Sequence, residues 1–250
     1  MIRLTFRALT IVALLLVCVP LHYSWKLLGR RSPWPTRFLR WVGCAAGMRV
    51  RTEGRPLERD VLFAANHKSW LDILLLGGSA GAAFVSKAEV ARWPVVGWLS
   101  RLNETVFVAR AERGNVKDQA DALREALAGG RPVALFPEGT VSEPGETLPF
   151  RPSLFASLFP PLPQARVQPV AIDYGKAASD IAWIEGESTA ANARRILSRR
   201  GTMPVTLHFL DPIDPNLAGD RKRLAAAAEA QILSALAASE ADPARLYAPR

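Results

Sequence analysis

Cysteine is almost missing from this 250-residue chain: Cys18 sits inside an apolar run and Cys44 within Gly43-Cys44-Ala45-Ala46-Gly47. Two thiols so placed exclude a disulfide framework and a cysteine metal cluster, and they suit a reducing compartment. Histidine is equally scarce, with His22, His67 and His208 alone, so no metal site is expected. No internal repeat or low-complexity tract breaks the chain, and its length fits one sizeable α/β domain. Acidic residues are also sparse at one end. Through residue 60 eleven basic residues face only Glu53, Glu58 and Asp60, so that segment holds +8 of the formal +9.

A basic protein with a pI near 10.2 is drawn to polyanions, either nucleic acid or anionic lipid. Here the charge lies beside the most apolar stretch, Ala8 to Trp25, which is the pattern of attachment to an anionic membrane surface. Lipid is therefore the expected partner, and nucleic acid is not. The run is barely the about 20 residues a bilayer requires, and Pro20 interrupts it near its end, so spanning and half-inserted readings both stand. No small-residue cleavage site of the A-x-A type follows it, so the run is expected to stay attached. Lys26, Arg30 and Arg31 place its C-terminal side in the cytosol, which for a bacterial chain means the inner face of the inner membrane. A proline joint, Ser32-Pro33-Trp34-Pro35, leads into Phe38 to Val42, whose Arg and aromatic content suits an interfacial helix. Residues 1–47 read as a membrane-binding motif and residues 48–250 as the catalytic domain.

Beyond residue 47 short β-rich runs alternate with helical stretches. Strands are expected at Met48 to Thr52, Val61 to Ala65, Ala82 to Ser86, Thr105 to Val108, Pro132 to Phe136, Val167 to Ile172, Ile181 to Ile184 and Pro204 to Leu210. Asn115 to Leu127 reads as a helix capped by Asn115 and ended by Gly129-Gly130, and Arg221 to Leu236 as an Ala-rich helix. The alternation predicts a layered α/β fold around a central, mostly parallel or mixed sheet.

Two strand ends carry chemistry. Val61 to Ala65 runs into Asn66-His67-Lys68-Ser69-Trp70-Leu71-Asp72, and side chains at such an end face the crevice where α/β proteins bind ligands. A turn brings Asp72 back to His67, where a carboxylate on one ring nitrogen sets the tautomer and frees the other to take a proton. Alone, a His–Asp pair is more often a core hydrogen bond. A second apolar strand, Pro132 to Phe136, ends in Pro137-Glu138-Gly139-Thr140, where glycine lets backbone approach a ligand and N–H groups can face an anion. A plain turn explains the proline and glycine but leaves Glu138 unexplained.

These blocks resemble the glycerolipid acyltransferases typified by lysophosphatidic acid acyltransferase. Asn66, His67, Ser69 and Asp72 match N-H-x-S-x-x-D, and Phe136 to Thr140 match F-P-E-G-T. Glu104 to Arg110 and Val167 to Ile172 match the family's remaining blocks more loosely. The resemblance implies direct transfer from acyl-CoA or acyl carrier protein, without an acyl-enzyme or a further cofactor. His67 would be the general base and Asp72 its orienting carboxylate. Asn66, Ser69, Arg110, Glu138, Gly139, Thr140 and Arg151 would bind substrate. Val141 stands where the family usually has an arginine, which removes one contact to an acceptor phosphate. Thr147 to Phe155 resembles a segment of the branch that acylates lyso-ornithine lipid, although Arg151 could equally replace the missing phosphate ligand. Lysophosphatidic acid is thus the first acceptor expected and lyso-ornithine lipid the alternative. A non-catalytic lipid or acyl-CoA binding protein is the reading from another class, and retention of His67, Asp72 and Glu138 together argues against it.

Overall fold

The fold grows from strands too apolar to face water on either side. In β2 (Val61–Ala65) all five side chains are buried. Val61, Phe63 and Ala65 enter one core, whereas Leu62 and Ala64 enter the other, as the two-residue period of a strand requires. A sheet covered on both faces follows. The structure, a computed structural model, describes residues 2–108, 116–143, 146–184 and 186–241.

In chain order the elements are α1 (Ile2–Leu27), α2 (Trp34–Ala45), β1 (Met48–Glu53), β2, α3 (Leu71–Ala80), β3 (Ala83–Lys87), α4 (Val96–Leu102), β4 (Val106–Val108), α5 (Val116–Ala128), β5 (Val133–Leu135), β6 (Arg166–Asp173), α6 (Ala178–Ile181), α7 (Thr189–Ser198), β7 (Met203–Phe209), α8 (Pro215–Ala218) and α9 (Arg221–Ala241). Among the described residues the sheet has seven strands in the order β1-β7-β6-β2-β5-β3-β4. The β6–β7 pair is antiparallel and the others are parallel. The layered α/β class is the one the alternation predicts. Side chains of α2, α3 and α7 fill one core, and those of α5, α9 and the 3-10 segment Pro152–Leu158 fill the other.

Two expectations change. Ile181 to Ile184 is not a strand: Ile181 closes α6 and is fully buried, while Ile184 is exposed in the loop that follows. A four-residue apolar run fits either state, and burial of a single residue there decides for a helical turn. Pro20 does not interrupt its helix. It lies on the exposed face of α1, where the missing N–H removes one helical hydrogen bond and the helix continues to Leu27. Asn115, the expected cap of α5, lies outside the described residues.

By length and composition α1 can cross a membrane, yet one stripe of it rests on the α/β layer. Ile11 and Leu14 pack on the core and Cys18 and His22 are buried, whereas Phe6, Leu9, Val12, Leu16, Val17 and Leu27 are exposed. Spacing of three and four residues puts the covered set on one side. Arg7 donates to the carbonyls of Ile196, Leu197 and Gly201, at 3.3, 3.2 and 3.3 Å, a cation placed at the negative end of α7. Helix α2 crosses α3 where a β-carbon on Gly78 would meet the Arg40 backbone at 2.7 Å and one on Gly77 would meet Leu39 at 2.4 Å. At Gly78, where the neighbour is backbone, only glycine allows that approach. An apolar N-terminal helix with one face left exposed points to membrane association.

Candidate active site

The parallel strands β2 and β5 sit side by side, so the segments leaving their carboxyl ends meet. The first segment folds around Asp72. Asp72 is fully buried, and its Oδ2 accepts the backbone N–H groups of Lys68 (2.7 Å) and Ser69 (2.9 Å) and faces His67 Nδ1 at 2.8 Å. An anion held by two main-chain amides fixes the loop and the ring together. His67 keeps 18% side-chain exposure. Its ring stacks on Phe136, with centroids 4.1 Å apart and planes at 14°, so the imidazole is oriented by a hydrogen bond at one edge and an aromatic face beneath. Nε2 is the nitrogen left for a substrate proton.

The second segment clasps the first. Glu138 is 1% exposed; its Oε1 accepts the His67 N–H at 2.8 Å and its Oε2 accepts the Leu148 N–H at 2.9 Å. Burial pushes the Glu138 carboxyl above the usual carboxylate range, and the two amides oppose that shift. On the other side of the peptide, Ser142 donates both its N–H (2.9 Å) and its Oγ (3.1 Å) to the His67 carbonyl. Both backbone polar groups of His67 are therefore held by the loop after β5.

The expected site residues separate into two groups. Asn66 is fully buried and stitched to β6: its Nδ2 donates to the Ile172 carbonyl at 3.0 Å and its Oδ1 accepts the Ile172 N–H at 2.7 Å. Ser69 is fully buried as well, with its Oγ near the Leu71 N–H. Gly139 adopts φ +76°, and its N–H closes a turn onto the Phe136 carbonyl at 3.0 Å. Thr140 is exposed, and so is Arg151, whose guanidinium lies 3.2 Å from where a Gly139 β-carbon would be. Thr140 and Arg151 thus lie exposed on the loop after β5 and the segment beyond it, whereas Asn66, Ser69 and Glu138 are buried and bond backbone. Arg110 lies outside the described residues.

Sequence reading missed Tyr174. Its hydroxyl donates to Asp72 Oδ1 at 2.5 Å, so the carboxylate is engaged at both oxygens. The phenol is buried, and its pKa is pushed well above the ordinary value, first by burial and then by the charge of Asp72. Tyr174 follows β6 and is far from Asp72 in the chain, so no spacing rule could have paired them. Lys68 was also passed over; its ammonium donates to Ser142 Oγ (2.9 Å) and to the Glu143 carbonyl (3.2 Å). The other two histidines have partners elsewhere: His22 meets Ser32 Oγ at 2.9 Å and His208 meets Glu53 at 3.1 Å. Trp70 donates to Asn192 Oδ1 at 3.0 Å and Trp183 to the Glu187 carbonyl at 2.9 Å, which ties both to the α7 region.

A buried His–Asp pair at the carboxyl ends of parallel strands, gripped by a Pro-Glu-Gly-Thr loop, fits the acyltransferase class that the two sequence blocks resemble. The comparisons agree. The acyltransferase family model matches residues 47–173. The chain is 34% identical over 251 residues to the lyso-ornithine lipid O-acyltransferase of Rhodobacter capsulatus, covering 94% of this chain and 90% of that one. It is 37% identical over 119 residues to the 1-acyl-sn-glycerol-3-phosphate acyltransferase of Neisseria gonorrhoeae, covering 46% and 47%. The crystal structure of the 1-acyl-sn-glycerophosphate (LPA) acyltransferase PlsC from Thermotoga maritima matches with a TM-score of 0.65 and 25% identity, over 83% of this chain and 78% of that one. The chain belongs to the acyltransferase family. It is an O-acyltransferase that acts on lysolipids.

Proposed function

We propose that this enzyme transfers a fatty acyl group from acyl-CoA or acyl carrier protein to the free hydroxyl of lyso-ornithine lipid. The observation that carries the chemistry is the 2.8 Å contact between His67 Nδ1 and Asp72 Oδ2. With Nδ1 committed to the carboxylate, Nε2 removes the proton from the acceptor hydroxyl as its oxygen attacks the thioester carbonyl carbon. The C–S bond then breaks, the sulfur leaves with the proton returned by the imidazolium, and the products are an ester and a free thiol. Asp72 stabilises the transient imidazolium. In this reading Glu138 and Asn66 act through the loops they tie, and Thr140 and Arg151 face the acceptor. The catalytic face meets the cytoplasmic leaflet of a bacterial inner membrane, with the exposed stripe of α1 in lipid. Both the basic residues that follow α1 and the half-covered state of that helix support this placement.

The acceptor reading departs from the order in which the sequence ranked the two lysolipids. Similarity to the R. capsulatus enzyme runs through 94% of this chain, whereas similarity to the N. gonorrhoeae enzyme stops at 46%, and Val141 replaces an arginine suited to phosphate. Lysophosphatidic acid remains the second reading, favoured by the match to the T. maritima structure. Purified full-length enzyme given acyl-CoA and each lysolipid in mixed micelles decides between them by kcat/KM. The value for lyso-ornithine lipid is expected to be the higher, and Val141→Arg is expected to move preference toward the phosphate-bearing acceptor. A wild type that ignores lyso-ornithine lipid and turns over lysophosphatidic acid efficiently would reverse the assignment.

A further inference from the structure

Behind the His67–Asp72 pair lies a cleft of about 510 Å³ between the end of β6 and the last turns of α9. Two of its lining residues tie its wall to the dyad: Tyr174 bonds Asp72 through its hydroxyl and Lys68 through its backbone N–H. Its polar lining is mixed, with Lys68 and Lys176 on one side of the charge balance and Asp173 and Glu240 on the other, and Leu233 and Leu236 form an apolar wall.

Lys68 is the most informative member. Its ammonium donates to two neutral oxygens, Ser142 Oγ and the Glu143 carbonyl, and among the described residues no carboxylate pairs with it directly. One of its three N–H donors is therefore left for another acceptor. Burial lowers the pKa of that amine, and the charges of Glu138, Asp72 and Glu146, none of which pairs with it directly, oppose that shift. A ligand carboxylate would supply a direct partner. Asp173 lies close by, held by the Gly175 N–H at 2.7 Å and by the Ser239 hydroxyl, and Glu240 is exposed at the rim.

We infer that this cleft is the head-group site of the acceptor and that it selects a zwitterionic amino-acid head group, with the ligand carboxylate on Lys68 and the ligand ammonium facing Asp173 and Glu240. The inference rests on the proposed lyso-ornithine acceptor and extends it to the groups that recognise it. An N-acylated ornithine keeps one carboxylate and one ammonium, which match a cleft whose lysines and acids balance. A phosphate head group carries up to two negative charges and no cation, so Asp173 and Glu240 would repel it.

Full-length enzyme, with lyso-ornithine lipid and an analogue whose amino-acid side chain lacks the amine, tests this by steady-state kinetics. Lys68→Met should raise KM for both acceptors about tenfold to a hundredfold, with a smaller change in kcat, as loss of a charge-assisted contact does. Glu240→Gln, at an exposed position that tolerates change, should raise KM only for the acceptor that carries the amine. Glu240→Lys should move the kcat/KM ratio toward lysophosphatidic acid. Wild type inactive on lyso-ornithine lipid would sink the acceptor assignment itself. Wild type active on it, with KM unmoved by Lys68→Met and both Glu240 variants, would sink the cleft assignment and leave the acceptor standing. Should Lys68→Met not fold, Lys176→Met and the Glu240 pair still decide the matter.

Discussion

Glu138 accepts the backbone N–H of His67 at 2.8 Å, so the carboxylate of one sequence block holds the main chain of the other. With its second oxygen on the Leu148 N–H, it is a strut between three segments of chain. A buried carboxylate with two amide donors cannot be replaced by an amide without leaving one donor facing another.

Glu138→Gln should therefore destabilise the fold by about 1–3 kcal/mol and lower kcat more than it raises KM, because His67 is displaced while the acceptor contacts remain. Denaturant midpoints and kinetics on the same preparation check both parts. Unchanged stability with unchanged kcat would show that the strut does nothing.

His67→Ala should lower kcat by about a hundredfold or more while the circular dichroism spectrum is kept, since the proton acceptor is lost and the loop is held by Asp72 and Glu138. Asp72→Asn should be impaired as well, through the tautomer and through loss of the charge that four hydrogen-bonding groups surround. Near wild-type transfer by folded His67→Ala would remove the general-base mechanism.

Tyr174→Phe tests positioning. The rate constant kcat should fall severalfold with KM for both substrates little changed, since Asp72 and His67 are held less firmly while the acceptor contacts remain. An unchanged kcat in a folded variant would reduce Tyr174 to a packing residue.

Glu187 offers a pH test away from the site. Its bonds from Arg195 hold its carboxyl at about 2, below the ordinary value of 4.5. A lowered folded value means the pair stabilises the fold above about 4.5 and that this contribution fades as pH falls toward about 2. Thermal midpoints of wild type and Glu187→Gln should differ at neutral pH and converge in acid. A gap that is constant with pH would mean the charge contributes nothing.

The strands and the dyad were legible because both are local. Apolar runs of five residues bounded by polar turns announce β2 and β5, and five residues separate His67 from Asp72. What the sequence hid is non-local. Tyr174 meets Asp72 across 102 positions, and Ser142 meets the His67 carbonyl across 75. Only the parallel register of β2 between β5 and β6 brings them together. Ile181 to Ile184 misled because a short β-branched run carries no period. The backbone bonds of Asn66, Ser69 and Glu138 were not legible, because a polar side chain beside His67 reads the same whether it faces a ligand or backbone.

The contact between Gly78 and the Arg40 backbone has a consequence for how the enzyme meets its substrate. Long side chains between two helices act as a cushion, since they can change rotamer and let the helices slide. Bare backbone has no such slack. Helix α2 therefore rides on α3 at a set height, and α3 carries Asp72 in its first turn. Gly78 is a gauge: it sets the height of α3, and with it of the His67–Asp72 pair, relative to α2. A branched residue at Gly78 would raise the whole platform and leave an intact dyad at the wrong depth for its lipid.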